Sequence, residues 1–442
     1  MPLFAYLGTD DYEQLGDGYR QLISIFEVGA DGVTLTPRGE CEGVCVGANF
    51  LAECGGHLYA TDGMGSAIVA LAVGADGSLT EINRQSCAEL HNFPCHLDFS
   101  ACGRWVLTAA YGDGTVAVWP RDPVTGALGP CTDSKKQHLN NPNPDLADRQ
   151  EQAHAHQIIV HEKWALCCDL GTDTVYVYEL DPERGALSGA SNAPRHLRLA
   201  EGSGPRHLEF HPNGKWVYIT AELSGHVVTA QFDNHTGELK QTHSINALPE
   251  GIECSRKGHR GNADLHCSSD GTRVPGCAAV FPQPLTMHTI SQLDGVLLCL
   301  ARFVRAGRFV YTTTRTDHAI VAFTVDSTGG LSFLARYPTL GKCPRNFHLD
   351  GKDGDFLVAA LFDSGVCLGL LSTHRVVVQW CIVDRGKWSG PHLKPGPAGL
   401  CERFRWGRAG VLSCKLRVVE GRRDALFTRC APSRLHWFGA HY

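Results

Sequence analysis

A basic excess is missing from this 442-residue chain: 40 Lys and Arg stand against 46 Asp and Glu, a formal net charge of −6. Proteins that grip a phosphate backbone need surplus cations to displace counterions, so no nucleic-acid partner is expected. Long apolar runs are missing too. The stretch 296–304 is far shorter than the roughly 20 residues that cross a bilayer, so no membrane association is expected. The first nine residues have no basic leader and too short an apolar stretch for a secretory signal. No Cys-x-x-Cys pair occurs, and the 19 cysteines are scattered, odd in number and include the adjacent Cys167 and Cys168. Zinc is therefore not expected, reduced thiols are, and the cytoplasm is the expected compartment. There is no Gly-x-Ser-x-Gly elbow for an acyl-enzyme, and no recurring Trp-Asp strand ending of the scaffold propellers.

Present instead is a repeat. Six segments share an alternating apolar strand pattern: Leu22 to Val28, Ala67 to Val73, Thr115 to Trp119, Thr174 to Leu180, His226 to Phe232 and Ala319 to Val325. Most lead into a Gly-x-Leu turn, at Gly77, Gly126, Gly185, Gly237 and Gly329. From the second segment onward the spacings are 48, 59, 52 and 93 residues, near a period of about 50 with one exception. Sheets of this size cannot bury both faces alone and must stack around an axis. The expected fold is all-β, a seven-bladed β-propeller whose last blade the sequence leaves open to being incomplete.

The exception sits between Thr272 and Arg308. Excising the 35 residues 273–307 leaves a spacing of 58, and joins Ser268-Ser269-Asp270-Gly271-Thr272 to Arg308-Phe309-Val310-Tyr311, much like His211-Pro212-Asn213-Gly214-Lys215-Trp216-Val217-Tyr218. The segment reads either as a surface insert or as retained non-coding sequence. After Ser364 and Gly365 the alternation fades. Val376 to Trp380 could recover one strand, but 386–442 shows no blade pattern. The propeller is thus assigned to 1–385, and 386–442 is an atypical tail expected to be disordered or not native.

The polar clusters that bear chemistry open the strands. His154-Ala155-His156 precedes Asp169-Leu170-Gly171-Thr172-Asp173, and in extended chain the two histidines share a face. They are either satisfied structural histidines or part of a site; as a metal pair they lack a third ligand. Gly204-Pro205-Arg206-His207 opens the next repeat and Ala221-Glu222-Leu223 is read as ending its third strand, both at the rim. A cation and a carboxylate there could bind an anion and move a proton, or form a surface salt bridge worth little. Pro recurs before polar residues in Pro94-Cys95-His96, Pro205-Arg206-His207 and Pro344-Arg345-Asn346, fixing the backbone from which they are presented. Arg315 occupies the slot of Glu222 in a later repeat.

Over roughly residues 1–365 these motifs resemble the 6-phosphogluconolactonase family of seven-bladed propellers, which includes the fungal carboxy-cis,cis-muconate cyclases. The stretch from Gln152 to Leu239 carries most of the likeness. The resemblance implies a site at one channel mouth, with His156, Arg206, Glu222 and Arg315 as catalytic residues and His154, His207, Arg345 and Asn346 as substrate-binding candidates. It also implies hydrolysis of 6-phosphogluconolactone, a small phosphorylated sugar lactone, without cofactor or metal. Glu222 or His156 would activate water, Arg206 would hold the oxyanion, and Arg315 with Arg345 would clamp phosphate. A lactonising cyclase would use the same residues, with the arginines on substrate carboxylates, and a non-catalytic binding scaffold is the reading from another class. The insert before Arg315 and the missing last strands are departures from the family pattern. Oligomeric state is not legible.

Overall fold

The computed structural model describes residues 3–8, 22–28, 35–88, 92–139, 143–188, 195–252, 254, 262–267, 307–339, 343–349, 356–361 and 365–370, with four short strands beyond residue 404. Among them the only helical turn is a 3-10 turn at Pro144–Leu146. Everything else regular is strand, paired antiparallel in seven sheets of three to five strands and two separate two-stranded hairpins.

Blade 1 holds β1 (Leu3–Gly8), β2 (Leu22–Val28) and β3 (Leu35–Glu42), and blade 2 holds β4 (Ala48–Cys54), β5 (His57–Asp62), β6 (Ala67–Val73) and β7 (Leu79–Ser86). Blade 3 holds β8 (Pro94–Phe99), β9 (Trp105–Ala110), β10 (Thr115–Pro120) and β11 (Asp133–Lys136). Blade 4 has β12 (Ala155–His161), β13 (Trp164–Asp169), β14 (Thr174–Asp181), β15 (Ala186–Ser188) and the two-residue β16 (Leu197–Arg198). Blade 5 has β17 (Pro205–Phe210), β18 (Trp216–Ala221), β19 (His226–Phe232) and β20 (Leu239–Asn246). Blade 6 has β21 (Asn262–Cys267), β22 (Phe309–Thr314), β23 (Ala319–Val325) and β24 (Leu331–Pro338), and blade 7 has β25 (Pro344–Leu349), β26 (Phe356–Leu361) and β27 (Gly365–Leu370). Two separate hairpins, β28 (Arg405–Trp406) with β29 (Leu412–Ser413) and β30 (Arg417–Glu420) with β31 (Arg423–Leu426), are the described part of the tail.

First strands of successive blades lie side by side, β4 beside β8, then β12, β17, β21 and β25, so they line the axis. Alternation along each strand sends its two faces to two different neighbours. In β9, Trp105, Leu107 and Ala109 pack against Ala155, Ile158 and Val160 of blade 4, whereas Val106 packs with Phe99, Ile68 and Tyr59 towards blade 2. The same construction joins blades 1 and 2, 4 and 5, and 5 and 6. The core is a set of apolar layers between sheets, which is why the period-two pattern repeats in the sequence.

The Gly-x-Leu turns have a specific cause. Each turn glycine has positive φ and lies flat on a ring near the start of the second strand of the preceding blade: Gly77 on Phe4, Gly126 on His57, Gly185 on Trp105, Gly237 on Trp164 and Gly329 on Trp216. A Cβ at Gly185 would stand 2.3 Å from Trp105. The turn also takes the indole N–H, with Trp105 donating to Pro182 O and Trp164 to Asn234 O, both at 2.8 Å.

Ladder irregularities identify each strand's place. Pairs of first with second strands break register near the start of the first strand, and second with third strands pair without a break. The pair β1 and β2 is unbroken, β2 and β3 break at Ile25/Phe26, and Phe4 receives Gly77, so β1 is a second strand. Among the described residues blade 1 therefore has no first strand, and blade 7 has no fourth. The possible strand at Val376 to Trp380 lies outside the described residues, as does 273–306. Description resumes at Gly307, the last residue of the segment read as an insert. Its φ of +66 repeats that of the turn glycines Gly103 and Gly214, and its carbonyl lies 3.0 Å from His211 Nε2. Asp98, Ser100 and other buried polar groups meet backbone N–H groups: Asp98 Oδ2 accepts from Val160 N at 2.8 Å across the blade boundary.

Candidate active site

The register breaks aim side chains at the axis. A bulge leaves a residue outside the ladder and turns it away from the sheet. The residues so displaced are Asn49, Cys95, His156, the pair Arg206 and His207, the pair Ala263 and Asp264, and Arg345. A second ring of positions follows the end of each second strand, where Tyr111, Glu222 and Arg315 stand in equivalent slots. The two rings meet between blades 3 and 7.

Glu222 is the centre. It is 1% exposed; its Oε1 accepts from Arg149 Nη2 at 2.8 Å and lies 2.9 Å from Arg315 Nη2, an ion pair without hydrogen-bond alignment. Arg206 Nε lies 2.9 Å from Oε2, a charge contact without hydrogen-bond alignment. Burial alone would raise this carboxyl, but Arg315, Arg149 and Arg206 outweigh it and hold it well below the usual carboxylate range. Burial, followed by the neighbouring cations Arg315 and Arg345, pushes Arg206 down to about 9 in spite of Glu222. Arg206 and Glu222 thus form no exposed surface salt bridge but part of a buried network, in which each charge depends on the others.

Local sequence fixes this geometry. Asp173 accepts from Gly202 N and Gly204 N at 2.8 Å each, and from Gln150 Nε2 at 2.9 Å. One carboxylate therefore ties the loop carrying Arg149 to the loop that leads into Arg206. Glu222 N then donates to Gly204 O at 2.7 Å.

Beside the arginines lies an imidazole cluster from three blades. The His156 and His207 rings are 5.2 Å apart and the His96 and His207 rings 5.9 Å, both edge-on. His207 Nδ1 is 2.8 Å from Asp264 Oδ1, and its Nε2 is 3.2 Å from Arg206 Nη1. Arg206 Nη1 also donates to Ala263 O. Burial, with Arg206 and His207 adding, holds His156 well below the usual imidazole range; burial and His207 do the same to His96. Nδ1 of both is buried without a hydrogen-bond partner among the described residues.

Of the residues singled out by sequence, His156, Arg206, His207, Glu222 and Arg315 come together here. Arg345 is half-buried and acts electrostatically on His156 and Arg206. His154 stacks on Tyr111 at 4.4 Å, its Nδ1 2.7 Å from Tyr111 O and its Nε2 3.0 Å from Glu151, so both ring nitrogens are engaged away from the arginines. The bulge at Ala155/Gln157 interrupts the alternation that was to put His154 and His156 on one face, although Tyr111 touches both rings. Asn346 pairs with Ala360 in the ladder, and its side chain lies outside the described residues. Sequence reasoning missed Arg149, Tyr111 and Asp264. Tyr111 was findable, because it shares the slot of Glu222. Arg149 sits in the connection between β11 and β12, outside the repeated strands, and Asp264 stands beside the segment that breaks the period. Among the described residues no group of three or more His, Cys, Asp or Glu side chains is placed to hold a metal ion.

A family model described as a lactonase with a seven-bladed β-propeller matches residues 6–278 and 301–368, passing over 279–300. The chain is 28% identical over 292 residues to a 6-phosphogluconolactonase of Bacillus subtilis, covering 65% of this chain and 68% of that one. It is 26% identical over 343 residues to a 6-phosphogluconolactonase of Pectobacterium carotovorum, covering 77% and 84%. The structure of a periplasmic gluconolactonase from Pseudomonas aeruginosa superposes with a TM-score of 0.68 at 23% identity, covering 87% of this chain and 96% of that one, and shares the fold.

Proposed function

Because this chain belongs to the lactonase family of seven-bladed β-propellers, we propose that it hydrolyses 6-phospho-D-glucono-1,5-lactone to 6-phosphogluconate. The observation that carries this substrate is the charge at the channel mouth. Four guanidiniums, Arg149, Arg206, Arg315 and Arg345, face two carboxylates, Glu222 and Asp264, a formal surplus of two positive charges. A phosphate monoester dianion carries two negative ones.

In this reading Arg315 and Arg345 take the phosphate, where planar guanidiniums bind bidentately. Arg206 faces the lactone carbonyl and stabilises the oxyanion that forms when water adds. Glu222 holds the guanidiniums in place; as a carboxylate kept ionised by three cations it is a weak proton acceptor. The acceptor is one of the imidazoles beside Arg206, His156 or His207. The cytoplasm is the proposed compartment, supported by the described cysteines all being free thiols. No helix among the described residues is long and apolar enough to cross a membrane.

Initial rates on 6-phosphogluconolactone and on the unphosphorylated lactone test the reading. Arg315→Ala should raise KM for the phosphorylated substrate about 10- to 100-fold, the worth of a charged hydrogen bond, and change the unphosphorylated one much less. Background rates with both lactones would end the proposal, and consumption of carboxymuconate instead would move it to a lactonising cyclase.

A further inference from the structure

We propose that His207, oriented by Asp264, is the group that takes the proton from the attacking water, so that hydrolysis runs on a carboxylate–imidazole dyad assembled from blades 5 and 6. This rests on the lactone reading above and deepens it. A base is recognised first by geometry: it needs an orienting partner behind it and a free direction towards the reacting atoms. His207 has the partner, since a carboxylate oxygen only accepts, and Asp264 Oδ1 at 2.8 Å therefore places the ring proton on Nδ1. Nε2 then carries the lone pair, consistent with the Arg206 N–H that faces it at 3.2 Å. The carboxylate and the cation specify one and the same tautomer.

Both members sit in the two-residue bulges at the starts of β17 and β21, and threonines pin them. His207 N donates to Thr220 Oγ1 at 3.1 Å and Thr220 Oγ1 donates back to His207 O at 3.2 Å. Asp264 N donates to Thr313 Oγ1 at 2.9 Å, and Thr312 Oγ1 donates to Asp264 O at 2.7 Å. The alternatives lack this arrangement. Glu222 has its oxygens committed to three guanidiniums, and His156 Nδ1 has no partner among the described residues to set its tautomer.

The step balances without any further reagent. A lactone carbonyl draws the Arg206 N–H to itself and releases the Nε2 lone pair. Water gives its proton to Nε2 while its oxygen bonds to the carbonyl carbon, and the oxyanion forms against Arg206. Collapse breaks the bond from that carbon to the ring oxygen, and the Nε2 proton passes to the departing alkoxide. Asp264 touches no reacting atom and is a positioning residue.

The test compares the wild-type chain with His207→Gln, Asp264→Asn and His156→Gln. His207→Gln should lower kcat by about 10²- to 10⁴-fold with KM little changed, since it removes the acceptor and spares the anion clamp. Asp264→Asn should also lower kcat, because an amide N–H facing Nδ1 favours the wrong tautomer. The acid limb of the wild-type rate profile should be lost in His207→Gln; Asp264, Arg206, His156 and His96 all face this ring and set where that limb falls. Histidine ¹⁵N spectra of the wild type, taken without substrate, should show His207 protonated at Nδ1, and Asp264→Asn should abolish that state. A His207→Gln variant that keeps its kcat, or a proton resident on Nε2 in the wild type, overturns the dyad. A wild type that opens no lactone overturns the substrate reading, and does so independently of the spectrum.

Discussion

Glu222 joins guanidiniums from the connection before blade 4, from blade 5 and from the turn after β22, and Arg206 and Arg315 are nearly as buried as it is. Removing its charge leaves three cations facing one another, so Glu222→Gln should cost about 3–5 kcal/mol of stability at neutral pH, read as a lowered urea midpoint. Its folded pKa lies below the unfolded one, so this contribution is complete above the ordinary carboxylate range and is lost only as pH falls well beneath it. Asp98 behaves oppositely. Burial raises its carboxyl to about 7 despite bonds from Val160 N and Phe99 N. Between the unfolded value near 4 and pH 7 the folded chain keeps a proton that the unfolded chain releases. Stability therefore falls as pH rises through that window, by on the order of 4 kcal/mol from this group. Melting temperatures of wild type and Asp98→Asn from pH 4 to 8 should diverge by that slope, and parallel curves would refute it.

At the scale of strands and turns, the glycine at the head of each Gly-x-Leu turn works by contact as well as by φ. Gly185→Ala meets both costs, at φ +61 with the Trp105 ring 2.3 Å from the new Cβ; Gly43→Ala, at φ +73 with nothing within 4 Å, meets only the first. The expected losses are about 3 kcal/mol and about 1 kcal/mol, measured by denaturant unfolding, and equal losses would refute the packing role. This level was the most legible in the sequence, because interblade packing imposes the alternation, and in five repeats the turn glycine. Bulges were half legible. Pro94, Pro205 and Pro344 marked where polar residues would be presented, but nothing in residue order says that a ladder skips at Arg206 and His207. The His207–Asp264 pairing was therefore invisible until the two sheets were placed side by side.

For the whole molecule, the strand inventory explains why the ends of the chain were hard to read. Among the described residues blade 1 starts at a second strand and blade 7 ends at its third, and the sequence alternation that marks the other blades fades near the same end of the chain. The other interruption can be tested by excision. β21 and β22 pair through Cys267 and Val310 although 41 residues lie between the strands, against two to six in the other blades. Joining Asp270 to Gly307 leaves five, as between β17 and β18. Deletion of 271–306 should therefore retain lactonase activity and the melting temperature within a few degrees, and a chain that no longer folds would show that the segment is integral. The bulges have a consequence for how such a ring diversifies. Residues that skip the ladder take no part in the layers between sheets, so the mouth can be rewritten for a different anion while the chassis beneath it stays unaltered.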